Sequence, residues 1–240
     1  MYYGVIFMVL SFMAVHTLYS PSTRHYKILK WVAFLLLFLT SGLRYETAVD
    51  WVNYQKKFQD STNIFDFFNG GYSFLSIFNS GEPAFALLNS LIRTFTDNVQ
   101  VLFFISSLIS TTILFKSIEH FTERKYFFLS VFLYYVLIFW VLDMSGIRQA
   151  IALSILFFSL KPLSENNLSR YLFLVFIAGM FHFSALLFIL GIFLTKKVNK
   201  YIILTLFTIG MIVFLFRIRW MVSSLESLSS LFIDNYLYLR

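Results

Sequence analysis

Long apolar stretches, separated by short clusters of charge, occupy about residues 2–20, 30–43, 99–115, 127–142, 146–160, 171–194 and 201–216. Apolar runs of this length with few charges read as helices embedded in a bilayer. Several are shorter than the ~20 residues of a typical span. Short helices that end at one level leave a cavity there, whereas tilt or local thinning accommodates them without one. The pattern predicts an all-α polytopic membrane protein with roughly seven to nine transmembrane or half-membrane helices, in one domain over 1–240. Residues 44–98 interrupt it with a polar, aromatic-rich stretch that no lipid-spanning helix absorbs, and they read as an extracytoplasmic loop. Inside that loop Pro83 to Phe95 predicts an interfacial helix of about three turns, with acidic Glu82 near its positive end.

Composition supports the lipid reading. The chain is 59% hydrophobic, 21% aromatic and 13% charged, with 32 Phe, against roughly 25% charged residues in soluble domains. The net charge of +7 does not point to nucleic acid, because no basic face interleaved with stacking aromatics lies outside the apolar runs. Cysteine is absent, which excludes disulfides, thiolate metal sites and cysteine catalysis. No Lys or Arg precedes the run from Tyr2 to Leu18 and no small-residue cleavage pattern follows it, so it reads as a span and not a signal peptide.

The charge sorts the loops instead. Arg24, Lys27 and Lys30 follow the first run, Lys116, Arg124 and Lys125 the third, Lys161 and Arg170 the fifth, and Lys196, Lys197 and Lys200 the sixth. These four loops are expected to be cytoplasmic, which places 44–98 and 143–149 outside. A single crossing by 171–194 would put the last cluster on the wrong side. A break near Gly179–His182, giving two half-helices, would restore parity and bring His182 to the outer side or the midplane, and one long tilted helix is the alternative.

Four segments carry the candidate chemistry: GLRYETAVDWVNY (42–54), GEPAFALLN (81–89), SGIRQAIALS (145–154) and FHFSALL (181–187). All fall on the outer side of that topology. Arg148 lies in the first turn of a helix that Ser145 can cap, where the macrodipole disfavours a cation, so an anion should compensate. A helix N-terminus with a guanidinium suits phosphate oxygens, although lipid headgroups or Asp143 would serve as well. Arg44 ends an apolar run, where an arginine is commonly an anchor. Asp50, Tyr54 and Lys57 share one face of a surface helix, with Trp51 and Phe58 on a neighbouring apolar face. Asp50 is a candidate base, or a solvated charge. Glu82 is explained by its helix start, and His182 either packs through a hydrogen bond or lines a pathway. No HExxH or paired-carboxylate spacing suggests a metal, and no cofactor is expected. Ser145-Gly146 with His182 suggests a rhomboid-like protease only weakly, since Asp143 stands where the nucleophile turn needs glycine.

Together these segments resemble the EpsG/Wzy-like family of bacterial surface-polysaccharide polymerases. The resemblance rests on Arg44, Asp50 and Tyr54 in the GLRY…D…Y block, Glu82 and Asn89 in GEPxFxxLN, Ile147, Arg148, Gln149 and Ala152 in IRQxIA, and His182, Ser184 and Ala185 in FHxSA. It covers about 40–190. It implies a fold like that of membrane glycosyltransferases using polyprenyl-phosphate donors, and an inner-membrane polymerase that joins lipid-linked oligosaccharide repeats on the outer face, with polysaccharide-assembly proteins as partners. In that reaction Arg44 and Arg148 would stabilise the leaving pyrophosphate, Asp50, ahead of Glu82, would take the acceptor proton, and Trp51, Tyr54 and Tyr72 would stack on sugars. His182 and Gln149 complete the implied site. A flippase for lipid-linked sugars, or a noncatalytic assembly partner, are the rival readings.

Overall fold

A computed structural model describes residues 2–19, 23–48, 50–68, 81–195 and 208, and among these there is no strand. The helices are α1 (Tyr2–Tyr19), α2 (Thr23–Gly42), α3 (Trp51–Gln59), α4 (Ile64–Phe68), α5 (Pro83–Arg93), α6 (Val99–Phe121), α7 (Arg124–Tyr134), α8 (Ile147–Ser164) and α9 (Leu168–Phe181). A wide π turn, Tyr135–Phe139, continues α7, and a 3₁₀ segment, Phe183–Thr195, follows α9. The chain divides into two compact units, Met1–Ile192 and Phe193–Arg240. The apolar run at 201–216 lies outside the described residues except for Thr208.

Among the described residues three helices, α1, α6 and α8, are long and apolar enough to cross a membrane. The other apolar segments among the described residues are shorter, as α9 and the 3₁₀ segment are, or carry charge at one end, as α2 does. The basic clusters sit differently from expectation. Arg24, Lys27 and Lys30 belong to the first turns of α2, Lys116 to α6, Arg124 and Lys125 to α7, and Lys161 to α8. Lys and Arg are good helix formers whose long stems lie along apolar surface, so the helices run through these residues and leave very short connections.

Packing starts from which faces are small or apolar. α1 packs on α7, α2 on α6, α6 on α8, and α8 on α9. α6 turns a face of Ser106, Ser107, Ser110, Thr111 and Ser117 inward. There the Ser41 and Ser107 hydroxyls lie 2.5 Å apart, and Ser107 donates to the Phe38 carbonyl at 2.9 Å. A Cβ on Gly42 would stand 3.4 Å from the Phe104 backbone. Small side chains and buried hydroxyls thus let two backbones approach closely, as helices do in lipid. A second group of Trp51, Tyr54, Phe58, Phe85, Ile92, Leu102, Phe103 and Ile147 fixes α3 and α5 against α6 and the start of α8. Outward-facing Phe12, Trp31, Leu137, Phe173 and Phe176 are each more than half exposed. So much exposed apolar surface needs lipid to cover it.

Of the two forms open to 171–194, one tilted helix or two pieces, the structure has the two pieces. α9 ends at His182, whose backbone is extended (φ −152°, ψ 117°). The next segment folds back along α9: the Tyr171 hydroxyl donates to the Phe188 carbonyl, and an added Cβ at Gly179 would strike Leu186. The 13-residue segment at a rise of ~2.0 Å per residue is roughly 26 Å long, close to the ~30 Å thickness of a hydrocarbon core. His182 therefore occupies the tip of a hairpin.

Candidate functional site

Gly81, at φ +75°, makes a turn that other residues adopt only with strain. It delivers Glu82 to the start of α5 with Pro83 as the first helical residue. The Glu82 carboxylate does not cap that helix, which corrects the reading of it as a helix-start residue alone. One oxygen pairs with an Arg148 terminal nitrogen, and the other lies 2.7 Å from His182 Nδ1. Both side chains are much farther along the chain, Arg148 by 66 residues and His182 by 100.

Arg148 is in the first turn of α8, whose cap is Gly146 with no side-chain bond, so Ser145 does not cap it as expected. A side chain at Gly146 would lie 2.9 Å from Gln149 Oε1, because Gln149 leans back over the helix start. The Arg148 guanidinium lies over the rings of Tyr54 (5.5 Å) and Phe85 (5.9 Å), and its Nε is 3.4 Å from the Tyr54 hydroxyl. Its anionic partner is Glu82. Asp143, the alternative, is engaged elsewhere. Gln149 Nε2 stands 3.3 Å from His182 Nε2. With Nδ1–H donating to Glu82, Nε2 is the acceptor of the Gln149 amide, and the imidazole has one tautomer.

Beside this cluster lies a cavity of about 330 Å³ lined by Asp50, Asn53, Tyr54, Lys56, Lys57, Asp60 and Arg148, within the ~300–1,000 Å³ range of small-ligand pockets. Asp50 occupies the cap position of α3 but makes no side-chain cap bond, and its carboxylate borders the cavity. The predicted face of Asp50, Tyr54 and Lys57 is thus the cavity wall. The aromatic residues behave differently from expectation. Trp51 is 6% exposed and stacks on Phe103 (6.2 Å, 21°), so it belongs to the core and is closed to sugars. Tyr54 is 2% exposed, with its ring edge-on to Phe85 and Phe103. It supports Arg148 and offers no open stacking face. Tyr72 lies outside the described residues.

Arg44 makes no bond to that cluster. It is 4% exposed, lies over the Phe103 ring at 4.5 Å and donates to the Asp143 carbonyl at 2.6 Å, while its buried Nε has no partner. The Asp143 carboxylate accepts from Tyr134 (2.5 Å) and Ser110 (3.1 Å). The loop that follows Arg44 holds Glu46 and Ala48 at φ +47° and +73°, conformations that non-glycine residues adopt only when their surroundings impose them. Burial dominates the electrostatics of this pair. It pushes the Asp143 carboxyl up to about 6 despite Tyr134, Ser110 and Arg44, and it holds Arg44 down to about 10 despite Tyr54, Asp143 and Asp50.

This has a measurable consequence. Asp143 is raised when folded, so its contribution to stability is complete below its ordinary value of 3.8 and is lost as pH rises through about 6. The unfolding midpoint in detergent should fall between pH 4 and 7 more steeply in the wild type than in Asp143→Asn. Parallel slopes would show that this carboxyl does not titrate there.

Sequence reasoning singled out Glu82, Arg148 and His182 but not their union, and it missed Phe85 and the Tyr134–Ser110–Asp143–Arg44 network. The signal available for the network was the serine-rich face of α6 at helical spacing. Among the described residues no three His, Asp or Glu side chains converge as a metal centre requires.

Apolar helices covered by lipid, with ionisable side chains gathered where α3, α5, α8 and α9 meet, define a helical membrane protein with a polar site at its helix ends. The chain belongs to the EpsG family, whose model matches residues 27–239 and so spans every residue of the site. It is therefore a membrane protein of polysaccharide biosynthesis. No curated protein and no solved structure matches it significantly.

Proposed function

We propose that the chain is a polysaccharide polymerase of a bacterial inner (cytoplasmic) membrane, crossing it several times, and that it transfers glycan from a polyprenyl-pyrophosphate-linked donor to a lipid-linked oligosaccharide repeat unit at the outer face. The observation that carries this is Arg148, at a helix N-terminus, on the wall of a cavity that also holds Asp50, Lys56 and Lys57. In the reaction an acceptor hydroxyl oxygen attacks the anomeric carbon, the bond from that carbon to the pyrophosphate breaks, and polyprenyl pyrophosphate departs with the electron pair. Arg148, with the two lysines near, stabilises the developing charge. Asp50 takes the hydroxyl proton: it lines the cavity, as Asp60 does, and it alone of the two belongs to the GLRY…D…Y block, whereas both oxygens of Glu82 are engaged. Arg44 acts at one remove, tying the loop before α3 to the turn before α8.

Family membership supports the substrate class, since EpsG proteins are associated with glycosyl transfer in polysaccharide synthesis. Incubating purified protein with a defined lipid-linked repeat should yield a ladder of lengths. A flippase would change only the sidedness of the substrate, and an assembly partner would do neither. The orientation is tested separately: cysteines introduced at Ser61 and Ser164 should react with an impermeant thiol reagent from outside and from inside respectively. The reverse pattern would put the site on the wrong face for a polymerase.

A further inference from the structure

A cation in the first turn of α8 is opposed by the helix dipole and needs a negative partner. A donor pyrophosphate is the partner the proposed reaction supplies, yet the position is already filled by the protein's own Glu82. The way it is filled is informative. The carboxylate is shared, one oxygen on Arg148 and one on His182, and the Arg148 and Glu82 side chains are 25% and 14% exposed, so neither end of the pair is sealed from an arriving ligand. Arg148 also lines the cavity, together with Lys56, Lys57, Asp50 and Asp60.

We propose that Glu82 is an internal competitor for the anion subsite: it masks Arg148 while no donor is bound, and it is displaced onto His182 when a pyrophosphate arrives. This rests on the polymerase reading for the identity of the anion, but not for the competition itself. Displacement costs little because His182 retains the carboxylate, so Glu82 is never left buried without a partner. The exchange exposes the guanidinium only to a ligand with enough charge to replace a carboxylate. Neutral glycans and single hydroxyls do not qualify. Selectivity for pyrophosphate-bearing lipids then follows from a competition inside the site and not from the shape of the cavity. His182 has a defined part in it: it is the positioning residue that receives the displaced carboxylate, with Gln149 at its other nitrogen.

Binding of inorganic pyrophosphate to the purified full-length protein in detergent, measured by calorimetry, tests the competition without requiring turnover. Glu82→Gln should bind pyrophosphate about tenfold more tightly than wild type, the equivalent of one charge-assisted hydrogen bond no longer in competition. Removing a negative charge would also tighten binding through the field alone, so Glu82→Asp is the discriminating variant. It keeps the charge but is one methylene too short to bridge Arg148 and His182, and it too should bind more tightly than wild type. Tightening in Glu82→Gln but not in Glu82→Asp assigns the effect to the field and overturns the proposal, as does unchanged or weaker binding in both variants. His182→Ala, which leaves Glu82 wholly to Arg148, should bind pyrophosphate more weakly. If these shifts occur but no ladder forms from lipid-linked repeats, the competition stands and the polymerase reading fails. If the ladder forms without the shifts, the reverse holds.

Discussion

Chain extension by Arg148→Ala is expected to fall by about 10²–10³-fold, the usual consequence of removing one preorganised group that stabilises developing charge on a leaving oxygen. Lysine should restore little. It keeps the charge, but it loses the planar fork that holds a phosphate oxygen pair and the flat face that lies over Tyr54 and Phe85 at 5.5 and 5.9 Å. The measurement is single-turnover extension of a defined lipid-linked repeat, with the variants matched for expression and monodispersity. Removing Arg148 takes one partner from Glu82 while His182 keeps the other, so the double variant Arg148→Ala/Glu82→Gln separates the chemical loss from one caused by the unbalanced carboxylate charge. If the second change rescues extension, the loss was electrostatic strain. Full activity in Arg148→Ala would reduce the arginine to an anchor for α8.

The second large effect belongs to Asp50. Asp50→Asn preserves size and position at the start of α3 while removing the proton acceptor, and general-base assistance is typically worth about 10²–10⁴-fold. Nothing in the fold depends on that carboxylate as a cap, since it makes no bond to its helix, so the variant should fold and express normally. Glu82→Gln should cost less in the chemical step, because Glu82 is engaged by two cationic or hydrogen-bonding partners. Near-normal extension by Asp50→Asn beside a collapse in Glu82→Gln would move the base to Glu82.

Much of this architecture is legible in the sequence because lipid imposes a strong pattern. The apolar runs mark the helices, and the glycine and histidine within 171–194, with charge parity, made a hairpin one of the two readings of that run. Helix ends were less legible. Lys27, Lys30, Lys116 and Lys161 read as loop residues, yet they continue helices into the interface, since a lysine at a helix end exposes its charge whichever structure it belongs to. The site was legible in its members but not in its pairings. The dipole argument required an anion at Arg148, and nothing local to 145–154 identifies Glu82, 66 residues earlier, as that anion over the nearer Asp143. The surroundings of Asp143 were harder to read for the opposite reason: the serine-rich face of α6 marks a polar seam, but packing alone identifies Tyr134 and Ser110 as the groups that surround this carboxylate. Trp51 and Tyr54 carry the composition of a sugar platform, but Trp51 is stacked on Phe103 and Tyr54 is enclosed by Phe85, Phe103 and the Arg148 guanidinium, a matter of tertiary contact that a helical wheel does not resolve.

The wide turn at Tyr135–Phe139 can also be counted as an insertion. A π turn holds one residue more than the α-helical turn it replaces, and each helical residue rotates the chain by about 100°. Deleting a single residue there would leave the helix continuous but swing everything after it by roughly that angle. Asp143 would turn away from Tyr134 and Ser110, its carbonyl would leave Arg44, and α8 would begin at a new azimuth with Arg148 facing elsewhere. The direction in which Arg148 points is thus set, several residues upstream of it, by one extra amino acid in an apolar helix, and relatives that differ in length between α7 and α8 would have to aim this arginine by other means.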